Sequence, residues 1–144
     1  MSDIFHNLKY MLSTKLNVHI HNESDCIWFE SNCEHRLNVT LLSHKTDDEK
    51  SRIVINISLG ILTEQHSRDL LLELLSCHIN MAVLNGPRFI YLKEISNLSL
   101  IDAVYVDSTN EEEICSLVES ILKLASSTKQ AIMNSGYSLG VDVK

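Results

Sequence analysis

Seven histidines and four cysteines are the residues of this chain best suited to chemistry, and five of them fall close together. His19 and His21 lie two apart, so on an extended segment both rings face one side, and Cys26, Cys33 and His35 follow shortly after. Thiolates and imidazoles are zinc ligands, so one reading of this group is a small zinc-binding or metal-responsive regulatory module. The spacing argues against a structural site: there is no Cys-x2-Cys, and Cys26 and Cys33 do not share a strand candidate. Cys77 and His78 are adjacent and project from different parts of a helix, so they form no nucleophile and base pair within it. Cys115 stands beside an apolar helical stripe and reads as a small buried residue. Asp47 and Asp48 sit in a polar loop with no apolar pocket to raise a carboxyl pKa. The glycines are scattered at 60, 86, 136 and 140, so none builds a phosphate-binding loop. The expectation is a protein that is not an enzyme and uses no metal or other cofactor.

Composition points the same way. The chain has 144 residues, 44% apolar and 22% charged, which suits one globular domain over 1–144. Its formal charge of -7 repels phosphate backbones, and its local charge clusters, Asp47 to Glu49 and Glu111 to Glu113, are acidic. Nucleic acid is therefore not an expected partner. Met1 to Ile20 contains polar residues throughout and reads as neither signal peptide nor anchor. No segment reaches the roughly 20 apolar residues of a membrane span. A cytoplasmic protein with reduced thiols is expected, in which the sequons at Asn22, Asn38, Asn56 and Asn97 are chance matches.

The elements that position these residues follow from hydrophobic period. Ser2 and Asp3 offer a cap, and Ile4, Phe5, Leu8, Met11, Leu12 and Leu16 recur at helical spacing, predicting a helix over 3–16. Strands are predicted over 26–30, 36–43 and 52–59. In the last, Ile53, Ile55, Ile57 and Leu59 face one way and Val54, Asn56 and Ser58 the other. The charged stretch 45–51 reads as an exposed hairpin loop. A second helix begins near Thr63 or Ser67 and ends at Asn85-Gly86-Pro87, where proline cannot continue the ladder. Strands over 88–93 and 98–106 follow. Ser108 and Glu111 have capping-box spacing ahead of a third helix over 110–134, and 135–144 reads as a flexible tail. The predicted order is α-β-β-β-α-β-β-α, an α+β fold with helices packed on an antiparallel sheet.

The second helix is apolar around its whole circumference, from Leu70 through Leu84, whereas a helix on one core shows a stripe of roughly 100°. A second copy of the chain is the expected cover, giving a homodimer. Leu71, Leu74, Leu75, His78 and Ala82 recur on one face and are assigned to the partner subunit, with the opposite face assigned to the sheet.

The element order, and the segment LLLELLSCHINMAVLNGPRFIYL with Asn80 and Gly86, resemble the class I type III secretion chaperones of Gram-negative bacteria. In that family a leucine-rich helix runs through an Asn into a Gly-containing turn and an apolar strand. The charged loop 44–52 and the number of His and Cys residues depart from the pattern. The resemblance implies a cytosolic homodimer that binds the N-terminal chaperone-binding segment of secreted effectors and keeps them soluble and secretion-competent. It also implies the secretion-system ATPase as a further partner. The client groove is expected from the first helix and first three strands, with Trp28 or Phe29. Phe5, Leu8, Leu12, Phe29, Val39 and Ile55 are the candidate effector contacts.

Overall fold

The computed structural model of the protein describes residues 2–32, 35–62, 68–74 and 86–140. It is an α+β fold. Helix α1 (Ser2–Leu16) precedes strands β1 (His21–Glu23), β2 (Cys26–Glu30), β3 (Asn38–Lys45) and β4 (Ser51–Leu62). A helical stretch over 68–74, α2, comes next. Strands β5 (Arg88–Leu92) and β6 (Asn97–Tyr105), helix α3 (Glu111–Asn134) and the short β7 (Leu139–Gly140) follow among the described residues. The strands form one seven-stranded sheet in the order β1-β2-β3-β4-β6-β5, with β7 paired to β4. Every pairing is antiparallel. No described helix is long and apolar enough to cross a membrane.

Period two decides which face of the sheet is covered. Ile27 and Phe29 of β2, Val39 and Leu41 of β3, Ile53, Ile55, Ile57 and Leu59 of β4, and Leu98 and Leu100 of β6 are buried in one cluster. Phe5, Leu8 and Leu12 of α1 and Ile114, Val118, Ile121, Leu122 and Ala125 of α3 pack into that same cluster. Spacings of three, four and seven residues place those side chains on one stripe of each helix. Burying a Leu, Ile or Phe side chain is worth about 1.5–3 kcal/mol each, so this layer dominates stability.

Four expectations are corrected. The first concerns β1 and β7, which the periodicity did not predict. β1 is the polar triplet His-Asn-Glu, held by backbone pairing to β2. Leu139 and Gly140, expected in a flexible tail, pair with Leu62 and Ile61 of β4. The second is the cap of α3, which is Asn110: its Oδ1 accepts from the Glu113 N–H at 2.9 Å. Ser108 instead closes a short 3-10 turn by donating its hydroxyl to the Tyr105 carbonyl.

The third is the orientation of α2. Leu74, assigned to a partner subunit, is buried in the core of its own chain together with Leu70. Leu71 is half-buried and packs against the core, and Leu72 is 55% exposed. Leu75, His78 and Ala82 lie outside the described residues.

The fourth is the candidate client surface. Phe5, Leu8, Leu12, Phe29, Val39 and Ile55 are between 0% and 5% exposed, so all six are core. Their inward side of the helix and strands is the side that α1, α3 and the sheet bury against one another. No partner in contact with the folded chain reaches these six side chains.

Candidate functional site

Alternation that sends one set of side chains into the core sends the other set to the opposite face. That outer face carries Cys26 and Trp28 of β2, Thr40 and Leu42 of β3, Val54, Asn56 and Ser58 of β4, and Ser99 and Ile101 of β6. Each is a direct or next neighbour in the register: Trp28 opposite Thr40, Thr40 opposite Asn56, Asn56 opposite Ile101, Ser58 opposite Ser99. Ile90 and Leu92 continue it onto β5, opposite Ser99 and Asn97. α1 and α3 leave this face uncovered.

The face holds a groove of about 660 Å³. Among the described residues its apolar walls are Trp28 on one side and Ile61, Leu92 and Ile95 on the other, over a floor of Thr40, Asn56 and Ser58. Phe29 and Val39 border it through their main chain, since their side chains are buried on the inner face. Polar groups at its foot bond to one another. Asn97 Nδ2 donates to Ser58 Oγ at 2.8 Å, and Ser99 Oγ donates to Asn97 Oδ1 at 2.7 Å. The network fixes the floor, and among the described residues no charged side chain lines the groove, a lining that favours apolar side chains and extended backbone over ionic ligands.

Around the groove lie apolar residues that water reaches. Leu42 is 46%, Leu92 45% and Ile95 58% exposed, and Ile90 is also open. Such a set on one face marks an interaction surface better than the same residues scattered singly would.

The sulfur and nitrogen groups do not converge. Cys26 is half-buried, and burial first, then the Glu23 carboxylate, push its thiol pKa up, which opposes nucleophile or thiolate-ligand chemistry. Cys115, on the inward side of α3, is buried as the sequence predicts. His35 Nε2 is within 2.8 Å of Gln130 Oε1, tying the β2–β3 connection to α3. His19 and His21 lie instead by the β1–β2 hairpin, where the His21 ring stacks on Trp28. Cys33 and Cys77 are outside the described residues. Among the described residues no three His, Cys, Asp or Glu side chains gather as a metal site.

Asp47 and Asp48 sit in the β3–β4 turn, where the Thr46 hydroxyl donates to Asp48 and Lys50 pairs with it at 3.9 Å. They are a solvated turn structure. The groove residues Thr40, Asn56, Ser58, Leu92 and Ile95 were missing from the sequence-based site. Their signal is present in the outward half of each strand's alternation, the face that α1 and α3 do not cover.

No family model and no curated protein matches the chain.

Proposed function

We propose that the protein is a non-catalytic binding protein that holds an extended segment of a client on its outer sheet face. In its specific form it is a type III secretion effector chaperone working as a cytoplasmic homodimer. The observation that carries this reading is the groove bounded by Trp28, Ile61, Leu92 and Ile95, which among the described residues has no charged lining and no helix over it, flanked by exposed Leu42 and Ile90. The α+β element order and the leucine-rich segment after β4 support the chaperone form through their resemblance to that family. The mechanism is thermodynamic: apolar client residues are masked against aggregation, and the contacts offset the ordering entropy of a disordered segment. The secretion-system ATPase is the further partner that this role requires.

The test is co-purification of the untagged protein with its bound clients, identified by mass spectrometry. Calorimetry with a client's N-terminal segment then follows. Leu92→Glu and Ile95→Glu should weaken binding far more than the pair Asp47→Asn and Asp48→Asn, and binding should carry a negative heat-capacity change. Binding that is lost on raising salt alone, or that ignores both groove variants, would sink the reading.

A further inference from the structure

We propose that His19 and His21 form a two-imidazole site for a divalent transition cation at the Trp28 end of the outer face. The site stands on the geometry of the β1–β2 hairpin and is independent of the chaperone reading. Ile20 is 3% exposed and part of the core, while the histidines on either side of it are exposed. Both imidazoles therefore project to the same side. Their ring centroids are 4.7 Å apart with the planes at 87°. Metal–nitrogen bonds of about 2.0–2.1 Å bring two ligating nitrogens to roughly 3.3 Å in tetrahedral geometry. Adjoining rings reach that separation by side-chain rotation, with no movement of the strand.

One of the two ligands is already positioned. His21 stands opposite Trp28 in the β1–β2 register, and the two rings stack at 5.6 Å and 17°. A ring held by a neighbour loses less rotamer freedom when it binds an ion. Local charge is also favourable. The Lys9 ammonium donates to Asn22 Oδ1 at 2.7 Å, and Asn22 points to the opposite side of β1 from His21. Glu23 is the next residue on the His21 side, and its carboxylate adds negative potential there. Among the described residues no third ligating side chain completes the pair, so water fills the remaining positions. That composition makes the site exchangeable, unlike the closed four-ligand sites of structural zinc. Imidazole ligands favour Cu(II) over Ni(II) and Zn(II) in affinity.

Trp28 is the single tryptophan of the chain and touches His21, so it reports on the site directly. The experiment uses the full-length, untagged protein after chelator treatment, with Ni(II) chloride as probe because it does not oxidise thiols. Saturable quenching of Trp28 fluorescence at one equivalent is expected, with calorimetry supplying the affinity. His19→Ala and His21→Ala should each weaken Ni(II) binding at least tenfold, with unchanged circular dichroism. His35→Ala, His44→Ala and Cys26→Ser should bind as the wild type does. Because ligands must be deprotonated, affinity should also fall as the solution is acidified. Quenching that does not saturate, or equal losses across all the histidine variants, would show an adventitious ion only and overturn the proposal. Wild-type affinity in both His19→Ala and His21→Ala, or loss in Cys26→Ser, would overturn it as well.

Discussion

Cys115 shows how a residue's type and its surroundings separate chemistry from packing. It is 0% exposed in the core cluster, and burial holds its thiol above the ordinary value of 9.0. Lys15 partly offsets that rise, and Glu119, Glu111 and Glu112 reinforce it. The folded state therefore keeps the proton more tightly than the unfolded one. Its contribution to stability is full below 9.0 and is lost as pH rises through the folded value. In a protein carrying Cys115 as its only cysteine, alkylation should require denaturant. Unfolding midpoints measured below and above that pH should fall more steeply with alkali than in a Cys115→Ala variant. Rapid native alkylation would show that the helix does not protect the thiol.

At the scale of elements, small polar contacts decide where helices and strands stop. Asn110 is extended, at φ -122° and ψ 171°, and its side chain receives the Glu113 N–H while three glutamates occupy the positive end of α3. Asn110→Ala should cost about 1 kcal/mol by urea denaturation, whereas Ser108→Ala should cost less, the reverse of what capping-box spacing predicts. Gly60 terminates the regular part of β4. A bulge falls between Ser58 and Gly60, where φ is +127°. A Cβ there would meet the Gly140 carbonyl oxygen at 2.6 Å. Gly60→Ala should destabilise by about 1–3 kcal/mol from backbone strain alone. It should also release β7, seen as faster hydrogen exchange at Leu139 and Gly140.

On the scale of the whole molecule, the question is how a sheet that α1 and α3 cover on one face behaves together with a second helix whose sequence is apolar all round. Leu74 is held inside its own chain, but Leu72 is 55% exposed on the same short helical stretch. If α2 is the contact between copies, Leu72→Asp should yield a folded monomer in sedimentation, with its circular dichroism intact. Leu74→Asp places a charge in the core and should unfold the protomer. A wild type that sediments as a monomer at micromolar concentration would remove the homodimer from the proposal. Among the described residues no charged side chain lines the groove, and acidic clusters stand instead in the β3–β4 turn and at the start of α3. Their effect on a client should fall on association rate more than on affinity.

The element order was legible because hydrophobic period is a local property. Ile53 to Leu59 alternate, and Ile114, Val118 and Ile121 recur every three or four residues, whatever surrounds them. β2 and the helix over 110–134 follow from that pattern almost to the residue. Tertiary structure decided what no local pattern carries. Phe5, Leu8, Leu12, Phe29, Val39 and Ile55 are core because α1 and α3 both lie on the inner face; apolarity alone cannot distinguish a residue that meets a helix from one that meets a client. Pairing with a distant partner made strands of the polar triplet at 21–23 and of Leu139–Gly140, which have no period of their own. The register of β1 on β2 also set His21 on Trp28. Spacing in the chain determined that His19 and His21 share a side, and only the folded sheet determined what they face.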